Sequence, residues 1–599
     1  MAELSLAFHH STSRIHFVAI SILIIFCHFA FLYGQIHNMW RLFYSVHADV
    51  VLISDSAEAD FFFGLLNITS PYSLSINSEE TVEVFTYTSA INKLWKSKGL
   101  PDPLISKISA VLLMLFSGIW PHLKLLLLHV CWVMPARAAP RKRALQILRA
   151  LGKWSFSDVF VVIFLLGVLH LDLPLSPPAV LAGLAAQLPV AVDSIANMDP
   201  AAAQTLICTQ VLPFHCDVLP DSRRCQDCAS ALSFVLKRPD WIKELAVGAL
   251  NGMEAQGDAK AALRVAGLPG IYWFCGAVVL SLLLSLAVER VHNRLNTISY
   301  LTASYTTSSA DARGMGAPLE GRNDSGVPRL PAAAGKGPGS PVRQGARTRA
   351  RVRVHLALHT LSAAALALSW CAVLVRTMER NVGGALPAAL EAVVGATFDR
   401  KFSVWMLARE AGAAGGWDRL LGATFALFCL GAPLARAAAA AGAAAAVPSP
   451  RGRRAARKVG QALAAFAAWE VLAFAAALTW REIPGITDTL VSARRGACPA
   501  VRALLPAAAG GERACFEVDF WPRPWFALLG AALAAAWAAD WLMGPWADGG
   551  DGARRRDGST GGGTGCRGDE HCLAEPLLVV QAEASPVGTV QNTDLQQRG

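Results

Sequence analysis

The chain has 599 residues, of which 54% are hydrophobic and only 16% charged, with a formal net charge of +10. That balance is too apolar and too sparsely charged for a soluble globular domain, and it points to a membrane protein. The basic excess sits in short clusters beside apolar runs with no interleaved aromatic and basic motif, which argues against a nucleic-acid partner and makes the charge a topology signal.

Crossing a hydrocarbon core of ~30 Å takes ~20 apolar residues. Eight stretches meet or approach that length, at roughly 15–34, 107–133, 155–172, 270–289, 354–375, 419–443, 461–480 and 524–545, the last four rich in alanine. Arg14 precedes the first, and no small-residue cleavage pattern follows it, so it reads as a retained signal anchor. Basic residues concentrate between spans two and three (Arg137 to Lys153), four and five (Arg290 to Arg353), six and seven (Arg451 to Lys458), and after span eight (Arg554 to Arg556). Short basic loops stay in the cytosol, so both termini are expected there.

The resulting boundaries are a cytosolic segment 1–14 and a first four-span module 15–290 with large outer loops 35–106 and 173–269, then a basic linker 291–352, a second four-span module 353–546 and a tail 547–599. Gly, Pro and charge in the linker and tail predict disorder. The alternation in SINSEETVEVFTYTSA predicts a strand in the first outer loop, whereas PPAVLAGLAAQLPVAVDSIA in the second reads as helical. The expected fold is an all-α membrane protein with extracytosolic loop domains and some β in the first.

The halves repeat. At one offset of 312 residues, Pro121 falls on Pro433, Lys124 on Arg436, Trp154 on Phe466, Asp158 on Glu470 and Val159 on Val471. Each copy holds four spans, an even number, so the copies share one orientation about an axis along the membrane normal.

Charges within spans are costly and by default functional. Lys124 lies ~13 Å from the cytosolic end of span two and Asp158 ~6 Å into span three, at 1.5 Å per residue. Two readings fit. In the first, Lys124 and Asp158 form a buried polar site, with Arg436 and Glu470 as its counterparts in the second module. In the second, the cations reach back to the cytosolic interface along their stems, and Asp158 caps the start of its helix, where the dipole favours a carboxylate. Pro121 and Pro433 each remove a backbone hydrogen bond, leaving a carbonyl that a packed bundle or a substrate path must satisfy.

Cys208, Cys216, Cys225 and Cys228 share one outer loop, and Cys498 and Cys515 share the last. Even counts on a non-cytosolic side read as disulfides, although CQDC at 225–228 also fits a redox pair or half of a zinc site. Asn67 opens a glycosylation sequon. There is no Walker loop, dinucleotide fingerprint, HExxH or nucleophile elbow, so no catalytic residue, cofactor or metal is expected.

SGIWPHLKLLLL at 117–128, followed by a basic turn and LGKWSFSDVFVVIFLLGVLHL at 151–171, resembles the paraquat-inducible protein A family of integral membrane proteins. A weaker echo runs through 430–480. The resemblance implies two tandem four-span modules and a role in lipid movement or membrane integrity, with an MCE-type or other lipid-transfer partner. It also implies that Lys124 and Asp158, with Arg436 and Glu470, form a polar network used in transport. The chain departs from the family pattern in having no cysteine in 1–14 or 291–352, where bacterial members carry zinc-ribbon CxxC segments. Lipid handling is therefore the leading expectation. The alternatives are a non-transporting tetraspan-like scaffold acting through its outer loops and a lumenal thiol oxidoreductase using Cys225 and Cys228.

Overall fold

Ser13 opens the first helix: its hydroxyl accepts the Ile15 N–H at 3.3 Å, and α1 runs Arg14–Ile36. The computed structural model describes the chain apart from residues 1–4, 10–11, 66–68, 97–102, 212–222, 315–340, 371–376, 396, 414, 446–449, 493–496, 506–513 and 548–599. Met1–Met543 forms one unit and Gly544–Gly599 a second, and the architecture below is that of the first.

After α1 come β1 (Asn38–Ser54), β2 (Tyr72–Thr86) and α2 (Pro103–Leu113). A π-helical turn at Met114–Ile119 leads into α3 (Trp120–Val133). Then α4 (Ala138–Gly152) continues through a 3-10 turn, Lys153–Phe156, into α5 (Ser157–Val168), followed by β3 (Leu171–Leu175) and α6 (Pro177–Ala196). β4 (Met253–Gly267) leads into α7 (Pro269–Gly314). The second half holds α8 (Pro341–Trp370), β5 (Met378–Gly383), α9 (Ala385–Val394), β6 (Arg400–Phe402), α10 (Asp418–Ala426), a second π-helical turn at Leu427–Gly431, and α11 (Ala432–Ala445). It ends with α12 (Pro450–Leu463), α13 (Trp469–Ser492), α14 (Ala497–Leu504), β7 (Glu517–Pro522) and α15 (Ala527–Ala547).

The fold is mostly helical, with strand in the first outer loop as expected, and its strands form two antiparallel sheets, ordered β2-β1-β4-β3 and β6-β5-β7. β1 is central in the first, with Trp40 opposite both Phe85 and Gly267, and the Trp40 and Phe85 rings stack at 3.7 Å. In both halves, the strand following the first helix pairs with the strand leading into the last one: β1 with β4, and β5 with β7.

Six stretches among the described residues are long and apolar enough to cross a membrane: Arg14–Ile36, Leu104–Val133, Ala138–Val168, Pro177–Ala196, Pro269–Ile298 and Asp418–Gly442. Five coincide with expected spans, and the sixth is the helix expected in the second outer loop. The other three expected spans fall on α8, α13 and α15. α13 carries Glu470, Arg481 and Glu482, α8 carries His355 and His359, and the last is apolar over the shorter stretch Pro524–Ala539. The linker also differs from expectation: helix extends to Gly314 and resumes at Pro341, because 291–313 contains no glycine or proline to stop it.

At the centre lies α5, buried at every position except half-buried Val161, and packed against α13 and α10. Around it Phe156 meets Phe428 at 4.3 Å, Phe160 meets Phe425 at 5.3 Å and Phe164 meets Phe520 at 5.7 Å. α1 packs on α7 by bringing Gly34 against its backbone; a Cβ there would stand 2.8 Å from Phe274 Cβ and 2.9 Å from the Gly270 carbonyl oxygen. Gly34→Leu should therefore destabilise the purified protein by about 1–3 kcal/mol, read as a lower melting temperature in detergent. Gly64→Ala, which meets nothing within 4 Å, should leave that temperature unchanged.

Candidate functional site

Pro121 has no N–H, so the carbonyl four residues earlier, at Ser117, loses its helical donor. Gln35 of α1 replaces it: Nε2 donates to the Ser117 carbonyl at 2.8 Å and to the Gly118 carbonyl at 3.4 Å. Gln35 Oε1 faces His122 Nε2 at 3.2 Å, and His122 Nδ1 faces His28 Nδ1 at 3.1 Å. With Gln35 Oε1 accepting, His122 carries its proton on Nε2, its Nδ1 is an acceptor, and His28 donates from Nδ1. The Tyr87 hydroxyl covers the start of the π-helical turn by donating to the Met114 carbonyl at 3.3 Å. The helix break thus becomes a polar contact between α1 and α3.

Lys124 is fully buried, yet it does not meet Asp158. Its Nζ donates to Ser281 Oγ of α7 at 2.9 Å and lies where a Cβ on Gly152 would approach within 2.7 Å. Asp158 is six residues beyond Gly152, or ~9 Å along a helix. It does not cap either: α5 has no side-chain cap, and the backbone stays right-handed helical from Gly152 through Ser157. With α4 running on into α5, no free N-terminus exists at Ser157 for a carboxylate to cap. Both sequence readings of Asp158 give way to a third arrangement, in which it is 6% exposed and its Oδ2 has no hydrogen-bond partner.

The second carboxylate is paired across the halves. Glu470 Oε1 meets Lys153 Nζ at 2.5 Å, Lys153 also donates to the Ala467 carbonyl at 3.3 Å, and Trp537 Nε1 donates to Glu470 Oε1 at 3.4 Å. The ion pair of Glu470 is therefore with Lys153 and not with the half-buried Arg436. Lys153 had been read only as part of a basic loop.

Two further groups join the halves without a sequence signal strong enough to single them out. Buried Glu482 of α13 accepts from Ser106 at 3.1 Å and Ser109 at 2.7 Å, both on α2. Arg380 of β5 donates to the Val168 carbonyl at 3.0 Å and the His170 carbonyl at 2.9 Å, placing a cation at the carboxyl end of α5, where the dipole favours it. Burial, and then the neighbouring Arg400, push Arg380 down to about 10, so it stays charged at neutral pH. Glu482 offered one clue, a carboxylate in an apolar run two residues before Pro484. Arg380 offered none.

The element bounds repeat at the offset of the sequence repeat. α3 and α11 begin at Trp120 and Ala432, α4 and α12 at Ala138 and Pro450, and α5 and α13 at Ser157 and Trp469, each 312 apart. A π-helical turn precedes Pro121 and Pro433 alike. Phe116 meets Trp154 at 5.1 Å, and their counterparts Phe428 and Phe466 meet at 5.6 Å.

On the outer loops, Cys208 is disulfide-bonded to Cys228 and Cys498 to Cys515, and Cys225 is also disulfide-bonded. Cys228 thus bonds outside the CQDC stretch. Cys216 and Asn67 lie outside the described residues. Among the described residues, no group of three or more His, Cys, Asp or Glu could hold a metal ion.

The family model described as Paraquat-inducible protein A matches residues 73–182, which run from β2 through α5 into α6. This match supports the resemblance read from 117–171. No curated protein and no solved structure matches the chain.

Lys153→Met should strand Glu470 in the interior and cost about 3–5 kcal/mol, measured by thermal unfolding in detergent. Adding Glu470→Leu to the same chain should recover most of that loss. A double variant no more stable than Lys153→Met would refute the pairing.

Proposed function

We propose that this chain is a polytopic membrane protein of eight spans, in two repeated four-span halves, that moves or loads lipids through polar groups buried where the halves meet. The observation that carries the reading is the central seam of α5 and α13, which bears Asp158 and Glu470 at equivalent positions inside the bundle. Charged groups kept at such depth mark pathways more often than packing. The lipid as substrate comes from the family resemblance over 73–182, as does an MCE-type or other lipid-transfer partner. No catalytic chemistry is invoked.

On this reading the spans are α1, α2 with α3, α5, α7, α8, α10 with α11, α13 and α15, and the basic helices α4 and α12 are the cytosolic turns. α6 then lies outside the bilayer: it follows β3 directly, and it packs against β4, α9 and α14. The positive loops favour a cytosolic side for both termini. The disulfides and sheets then fall on the opposite, oxidising side, in keeping with where such bonds persist.

The scaffold reading draws on the disulfide-bonded outer segments, and one experiment separates the two. In proteoliposomes containing a fluorescent phospholipid, Asp158→Ala and Lys124→Ala should slow lipid movement at least severalfold while protease protection shows unchanged insertion. Cys498→Ser should change the rate little. Full lipid movement by both charge variants would remove the polar groups from the path, and lipid movement by the unaltered protein no faster than in protein-free vesicles would remove the transport reading in favour of the scaffold.

A further inference from the structure

The two halves differ most where their backbones match. Glu470 takes the Lys153 ammonium, but the residue 312 positions after Lys153 is Ala465, so Asp158 receives no ammonium from the equivalent place. Asp158 is not alone in lacking a partner. Ser117, Ser155 and Ser157 are each at most 1% exposed, and none of their hydroxyl oxygens has a hydrogen-bond partner. The π-helical turn, the 3-10 turn and α5, which carry these three serines and Asp158, pack against one another. Ser155 and Asp158 are three residues apart on one continuous helix and share a face, whereas Ser157, two residues after Ser155, faces away from it.

The counterparts of Ser117, Ser155 and Ser157 are Cys429, Ala467 and Trp469. At these three positions the hydroxyls occur beside the carboxylate that lacks a lysine and are missing beside the one that has it. Buried polar atoms without partners call for a ligand or an ion. The Asp158 carboxylate and the hydroxyls of Ser117 and Ser155 make an all-oxygen set, which suits a hard cation, and a single negative charge balances a single positive one.

We propose that Asp158, Ser117 and Ser155 form a binding site for a monovalent cation, Na+, which occupies the place that the Lys153 ammonium holds beside Glu470. The site rests on the equivalence of the two halves and not on lipid movement, so it is tested by binding. A failed transport assay would leave it standing, and its own failure would leave transport open.

The test uses the full chain purified in detergent, with thermal unfolding followed in NaCl, KCl or choline chloride at equal ionic strength and at pH 5 to 8. NaCl should raise the melting temperature by several degrees over choline chloride in a saturable way, as a ligand of the folded state does. Asp158→Asn and the double variant Ser117→Ala/Ser155→Ala should each lose that response. Ala465→Lys, which supplies the missing ammonium, should fold and be indifferent to sodium, so the proposal stays testable even if Asp158→Asn misfolds. Equal melting temperatures in all three salts would overturn the proposal. So would a sodium response retained in Asp158→Asn, or a melting temperature that follows only pH, which would identify the cation as a proton.

Discussion

A charge buried inside a folded chain needs a counter-charge or donor within reach, and here the partner comes repeatedly from the opposite half. Lys153 crosses to Glu470, Ser106 and Ser109 cross to Glu482, and Arg380 crosses to the carboxyl end of α5. Separating the halves would strand Glu470, Glu482 and Arg380 at once, each far more costly unpaired than paired. The seam is thus both the centre of the fold and the place where a change in polar partnership has the largest energetic effect.

Within the first half, the same rule operates on a smaller scale. The proline in the second span exposes the Ser117 carbonyl, and Gln35 of α1 covers it. The lysine three residues after that proline reaches Ser281 of α7. Each polar interruption in an apolar helix therefore becomes a contact with a different neighbour, so the interruptions specify which helices lie side by side. On the other side of each half, a strand pair joins the first helix to the last, and two disulfides tie the segments between.

Much of this was legible in the residues. The apolar runs located five of the six long helices, and the 312-residue offset anticipated the matching starts of α3 and α11, α4 and α12, and α5 and α13. Pro121 announced a free carbonyl, although not the glutamine that bonds it. The strands were harder. β2 was visible by its alternation, but β1 and β4 carry mixed patterns because much of the sheet faces solvent on both sides, leaving no apolar face to mark.

By itself the sequence determined what depends on local composition: membrane character, the sites of helix interruption, and which residues bring charge into apolar surroundings. Only the tertiary structure decided who meets whom. The sequence allows Lys124 and Asp158 to meet, yet the ammonium passes Gly152 toward Ser281, and the lysine beside a carboxylate is Lys153, from the other half. The physical reason is that a side chain's partner depends on helix rotation and on close approach at small residues. Both are settled by packing across elements hundreds of residues apart, and neither is written in the spacing of the charges.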